Sequence, residues 1–168
     1  MSRTRQILMT IFFSVLAVAS THHPVFANGR GARAVEGVWA MTITLRDCAT
    51  GAPLGPPVRT LLTFHAGGTL SESPGTTQFA PGQRSPGHGT WSRAGRHAVA
   101  LRFAAMILFD TPPAPPAPGF QAGWLMVASK FVLTDADHAD VTATVQFLDL
   151  NRNEYRAACP TGTAERFQ

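Results

Sequence analysis

A chain of 168 residues with 45% apolar and 14% charged side chains is long enough to bury one real core and too apolar to stay disordered. Its formal charge of +4 comes from 14 Lys and Arg against 10 Asp and Glu. The arginines are dispersed, with no basic run and no interleaved aromatic pattern on which bases would stack, which argues against nucleic acid as a partner.

The N-terminus reads as a targeting segment. Arg3 and Arg5 precede an apolar run from Ile7 to Ala19, and Val25-Phe26-Ala27 fits the small-x-small rule for signal peptidase. The expectation is a signal peptide over 1–27, a leader over 28–34 and a single domain over 35–168. A cut after Ala17-Val18-Ala19 is the second choice. Cleavage would remove two of the 14 basic residues and leave 12 against 10 acids. About a dozen apolar residues fall short of the roughly 20 that span a bilayer. No later stretch is longer, so no stable membrane insertion is expected after cleavage. Cys48 and Cys159 would meet an oxidising compartment, where one disulfide is the economical reading and two free thiols the alternative.

The first strand is expected over Val35 to Cys48, with Trp39, Met41, Ile43 and Leu45 on one side and Val38, Ala40, Thr42 and Thr44 on the other. A turn through Ala49–Pro53, prolonged by Gly55-Pro56-Pro57, leads to a second strand over Val58 to His65. Gly67-Gly68 supplies the positive-φ residues of a tight hairpin into Thr69–Glu72. Ser73 to Gly87 reads as a long loop, the kind that serves as a lid or binding loop or simply runs along a rim. Gly87-His88-Gly89-Thr90-Trp91 then starts a short strand that runs to Arg93. His97 to Phe109 follows as the longest β segment, with Val99, Leu101, Phe103, Ala105, Ile107 and Phe109 alternating against Ala98, Ala100, Arg102 and Ala104. Those small residues suit close packing or a cavity wall. The tract 110–119 contains five prolines and reads as a stiff connection between strands.

Strands are then expected over Phe120 to Leu133, around Val141 to Phe147, and over Glu154 to Cys159, with a turn at Thr134–His138. Eight short strands define an all-β chain, a single antiparallel β-barrel, with a two-sheet β-sandwich as the alternative. A simple eight-strand meander puts the ends of its first and last strands at opposite rims, in conflict with a Cys48–Cys159 bond. Either the strand count differs by one, or the chain turns back near Pro160 and Thr163 to Phe167 forms a further edge segment.

Gly37-Val38-Trp39 on the first strand resembles the opening of the lipocalin and wider calycin barrels. That resemblance implies a tryptophan, here Trp39, plugging one end of the barrel, and a basic residue near the C-terminus, here Arg166, packed over its ring. The chain lacks a Thr-Asp-Tyr motif and a C-terminal helix. Gly37-Val38-Trp39, Asp47–Gly51, Thr63–Leu70, Gly87–Trp91, Cys159 and Arg166-Phe167 together resemble uncharacterised exported bacterial β-barrel proteins of this size. This likeness implies a periplasmic or secreted location and brings no activity with it.

No constellation of residues identifies a reaction. His65, His88 and His97 with Glu72 are ligand types for zinc or copper, but their spacing matches no ligand motif, so no metal site is assigned and no cofactor is expected. Ser71, Ser73 and Ser85 lack a nucleophile turn, and Asp135, Asp137 and Asp140 lack a calcium-loop spacing. A barrel of this strand number can keep an interior for one small ligand. Trp39, Trp91, Phe103, Trp124 and Phe147 are therefore the ligand-contact candidates in a carrier for a small apolar or amphipathic molecule. A solid barrel acting as a cell-envelope interaction or structural module is the second reading. A small-barrel cyclase or isomerase is the third, with His65, Glu72 and His88 as acid or base candidates.

Overall fold

Residues 35–75, 79–108 and 122–167 are described by the computed structural model. The expected signal peptide and leader, and the proline tract 110–119, lie outside the described residues. Strands run over Gly37–Thr44 (β1), Val58–Phe64 (β2), Thr69–Gly75 (β3), Gly87–Arg93 (β4), Ala98–Ile107 (β5), Gly123–Leu133 (β6), His138–Asp149 (β7), Glu154–Ala158 (β8) and Thr161–Arg166 (β9). Every ladder is antiparallel. The order β6-β5-β4-β3-β2-β1-β9-β7 is closed by β6 pairing with β7, giving an eight-strand barrel, and β8 adds a ninth strand beside β7. Ring closure excludes the two-sheet sandwich, since a sandwich leaves free sheet edges.

Alternation decides which face looks inward. On β1 the residues Trp39, Met41 and Ile43 are buried while Ala40 and Thr42 are exposed, and on β5 the buried set is Val99, Leu101, Phe103, Ala105 and Ile107. The intervening Ala100 and Arg102 face solvent and Ala98 and Ala104 are half-buried, so the small residues of β5 lie on the outer surface and form no cavity wall. Gly67 and Gly68 take φ values of 87° and 89° in the β2–β3 hairpin, a conformation that a side chain disfavours.

The last strand resolves the conflict over the disulfide. β9 pairs with β1 on one side and with the first half of β7 on the other, while β8 pairs with the second half of β7. β8 and β9 are thus one line of chain, kinked at Cys159-Pro160, and the chain does not turn back. Proline has no N–H to give a ladder, yet its carbonyl still accepts from Ala143 N at 2.9 Å, so the kink costs the sheet little pairing. Cys159 therefore sits mid-strand, where β1 leaves the barrel. Its N–H donates to the Arg46 carbonyl at 2.9 Å, and Cys48 and Cys159 are disulfide-bonded with Cα atoms 4.9 Å apart.

Trp39 closes one end. It is fully buried, donates Nε1–H to the Val35 carbonyl at 2.8 Å, and meets Phe131 edge-on at 5.0 Å. The Arg166 guanidinium lies 4.4 Å from the centre of the Trp39 ring and donates to the Glu36 carbonyl at 2.8 Å, the arrangement that the Gly-x-Trp resemblance implies for this pair. Phe64 and Trp91 complete this aromatic floor, with Trp91 Nε1–H directed at the His65 carbonyl.

Strands approach closely at several glycines, Gly89, Gly123 and Gly162 among them. A Cβ at Gly89 would collide with the Arg102 carbonyl and the Phe103 backbone, and one at Gly162 with the Thr42 carbonyl and Ile43. Gly89→Ala is expected to destabilise the barrel by about 3 kcal/mol, the upper range for overpacking, because the obstacle is backbone that cannot rotate away. Urea denaturation of the variant measures this, and an unchanged midpoint would contradict it.

Acidic side chains cap the turns. Asp47 accepts from the N–H and hydroxyl of Thr50 and then from the N–H of Ala49, and Asp149 from the side chain and backbone of Asn153; these bonds hold both carboxyls below the usual carboxylate range. Asp135 is lowered chiefly by the Asp137 N–H and next by His138, whose imidazole is raised chiefly by its hydrogen bond to Asp135. A raised histidine contributes stability that is full below its ordinary 6.5 and fades as pH rises through the higher folded value. A lowered aspartate contributes above its ordinary 3.8 and loses this as pH falls through the lower folded value. The turn is therefore firmest at weakly acid pH. An NMR titration should place His138 above 6.5, and Asp135→Asn should bring it down; an unmoved midpoint would contradict the assigned cause.

Candidate functional site

The inward side chains divide into two clusters. One contains Trp39, Phe64, Leu62, Leu101 and Phe131. The other contains Ala105, Ile107, Leu125, Val145 and Phe147. A cavity of about 110 Å³ is lined by members of both, including Met41, Leu62, Leu101, Phe103, Leu125 and Phe147. Leu45, Val58, Pro74 and Phe79, none fully buried, border it toward the rim.

One charged pair is set into this apolar wall. Glu72 on β3 and Arg84 in the β3–β4 connection have side chains only 5% and 4% exposed. The guanidinium donates twice to the carboxylate, NH1 to Oε1 at 3.2 Å and NH2 to Oε2 at 2.8 Å. Thr60 Oγ1, across the β2–β3 ladder, donates to Glu72 Oε1 at 2.7 Å. Gly87, opposite Glu72 in the β3–β4 register, makes room for that carboxylate, since a Cβ there would lie 2.9 Å from Glu72 Oε2 and 2.6 Å from Phe103.

Local sequence explains how Arg84 reaches the interior. Residues 83–85 form a short bridge against the end of β5, where Ser85 N donates to Met106 O at 3.0 Å and Leu108 N to Gln83 O at 2.8 Å. Gln83 is buried and its side-chain oxygen accepts from Ala80 N at 2.9 Å, which tightens the connection. Phe79 then lies over the rim. Its ring stacks on Phe147 at 6.4 Å, with the Arg84 guanidinium 5.8 Å from its centre. The described part of the connection expected over Ser73 to Gly87 thus lies against the cavity and supplies Arg84 and Phe79. The loop is also shorter than expected, because β3 runs on to Gly75.

Of the five aromatic candidates, Phe103 and Phe147 line the cavity. Trp39 and Trp91 are not among its lining residues, because both are packed into the closed end. Trp124 has the opposite parity from Leu125 and Val127, so it stands on the outer face of β6 beside Arg152, 5.9 Å from its ring centre. The acid–base candidates are not brought together. Glu72 points inward, whereas His65 and His88 are exposed, His65 sharing a hydrogen bond with Ser71 Oγ at 3.1 Å. Parity again gives the reason, since Gly87, Gly89 and Trp91 take the inner positions of β4 and leave His88 outside. His97 is exposed at the β4–β5 turn. Among the described residues no group of three or more His, Cys, Asp and Glu side chains is placed to hold a metal ion.

The fold and this cavity define a small closed antiparallel β-barrel with a walled interior. No family model matches the chain, and no curated protein matches it significantly. Among solved structures the chain is similar to EF1p2_mFAP2b bound to DFHBI, with 15% identity, a TM-score of 0.54, and coverage of 82% of this chain and 98% of that one. It also matches a redesigned beta barrel, b11L5F_LGL, at 17% identity and a TM-score of 0.49, over 83% of this chain and 96% of that one. A match to Rv2717c from M. tuberculosis has 14% identity and a TM-score of 0.37, over 80% and 94% of the two chains. At such identities the first likeness speaks for the barrel fold alone.

Proposed function

We propose that this protein is an exported barrel that binds a small apolar or amphipathic molecule in its interior. The observation that carries the reading is the cavity of about 110 Å³, walled mainly by apolar side chains between the two core clusters. An apolar cavity in a close-packed core offers a fitting ligand dispersion contacts with its walls. A cavity of about 150 Å³ is known to admit benzene, so this space of about 110 Å³ takes at most one small ring. Among like folds, EF1p2_mFAP2b is bound to DFHBI, so a barrel of this architecture is able to hold a small molecule.

Export, with processing after Ala27 and one barrel domain over 35–168, belongs to the same proposal. It is supported by the Cys48–Cys159 disulfide, which suits an oxidising compartment. Arg166 over Trp39 supports a kinship with the calycin barrels.

The test is a thermal-shift titration of the oxidised protein with toluene. Saturable stabilisation is expected, because a ligand that binds only the folded state raises stability by mass action. Ala143→Leu, which extends a lining side chain into the cavity, should abolish it. A wild-type midpoint that ignores toluene up to its solubility limit would overturn the reading.

A further inference from the structure

Within the cavity wall one polar atom stands without a partner among the described residues: Arg84 Nε, which is buried and makes no hydrogen bond. The other two nitrogens of the same guanidinium are both engaged by Glu72. A buried donor left unmade is costly, and buried polar atoms in folded proteins are overwhelmingly satisfied. Such an atom, on a side chain that lines a cavity, calls for an acceptor that the described residues do not supply.

We infer that the interior selects a neutral, single-ring molecule bearing a carbonyl-type acceptor, which takes its hydrogen bond from Arg84 Nε–H. This rests on the reading of the barrel interior as the binding site and names the class of molecule it takes. Charge decides between the candidates. The Arg84 guanidinium is already neutralised by a bidentate carboxylate, so the buried pair has no net charge to offer. A ligand carboxylate would be a third charge beside Glu72 in an apolar space, where an uncompensated ion is heavily penalised. A ligand cation finds no unengaged carboxylate, because Glu72 Oε1 receives Arg84 and Thr60 and Oε2 receives Arg84. A pure hydrocarbon fits the walls but leaves Nε unsatisfied. An aryl ketone, aldehyde or ester meets both demands, the ring against Phe103, Leu125 and Phe147 and the oxygen at Nε.

The experiment compares acetophenone with α-methylstyrene, which exchanges C=O for C=CH₂ at nearly constant shape, and with benzoate, all titrated into the oxidised wild-type protein by ligand-observed NMR. Acetophenone is expected to bind at least about tenfold more tightly than α-methylstyrene, the size of one hydrogen bond from a charged donor. Benzoate is expected to be weaker than both. The Arg84 Nε–H resonance should move downfield with acetophenone only. Arg84→Lys keeps the positive charge and deletes this donor, and should reduce the acetophenone preference to near unity while α-methylstyrene binding persists. Equal affinity of the two neutral compounds for wild type, or tighter binding of benzoate, overturns the inference and leaves interior binding standing. Failure of all three to bind overturns both.

Discussion

Arg84→Met is expected to lower unfolding stability by about 3–5 kcal/mol, among the largest effects of any single substitution in this chain. Removing one partner of a buried ion pair leaves the other charge desolvated and unpaired. Glu72 would keep only the Thr60 hydroxyl, with its side chain 5% exposed among apolar neighbours. Glu72→Leu should cost a similar amount by stranding Arg84. The double variant is expected to recover most of the loss, since a buried pair replaced by apolar groups of like volume is often neutral. Thr60 supports this recovery, because its single O–H, released by Glu72, can turn to the Ser73 carbonyl 2.9 Å away and does not become an orphan. Urea melts of the three variants form a double-mutant cycle. Additive losses would show that the two side chains do not act as a pair.

Reduction of the Cys48–Cys159 disulfide is expected to cost about 4–5 kcal/mol, the chain-entropy value for a loop of about 100 residues. The two cysteines are separated by 111 residues, so the bond encloses most of the barrel. Its position matters as much as its span. β9 is the strand that joins β1 to β7 and closes the ring, and Cys159 anchors the chain just before it. Denaturant melts with and without reductant, and of Cys48→Ser, measure the effect. Coincident melting curves would contradict a stabilising role for the bond.

Much of this architecture is legible in the residues. Period-two alternation in β1, β5 and β7 selects the buried face, and Gly67-Gly68 specifies the hairpin between β2 and β3. The β4 parity is also readable, since Trp91 shares a face with Gly87 and Gly89, which puts His88 outside. β6 is ambiguous by contrast. Trp124 and Met126 on one face rival Leu125 and Val127 on the other, so only the fold assigns Trp124 to the surface. Pro160 hides the continuity of β8 and β9, because proline ordinarily ends a strand and here is tolerated at a kink.

Arg84 escapes sequence reasoning for a different reason. It lies among Pro81, Gly82 and Pro86, in a stretch whose composition signals only a loop, and its partner is Glu72, twelve residues earlier. No spacing rule links the two, because the contact depends on residues 83–85 bridging to the end of β5. A glutamate at an inward position of a strand is the one available signal. Glu72 alternates with Leu70 and Pro74, and a carboxylate on that face demands a buried partner.

Methyl NMR is the most direct test of whether the barrel interior receives a small molecule. Toluene titrated into protein with labelled Ile, Leu and Val methyls should shift Ile43, Leu101, Leu125 and Val145 along one saturating curve, since all four line the cavity. The exposed methyls of Leu54, Leu61 and Leu150 should stay in place. Shifts confined to those exposed leucines, or no saturable shift at the four interior methyls, would contradict the claim.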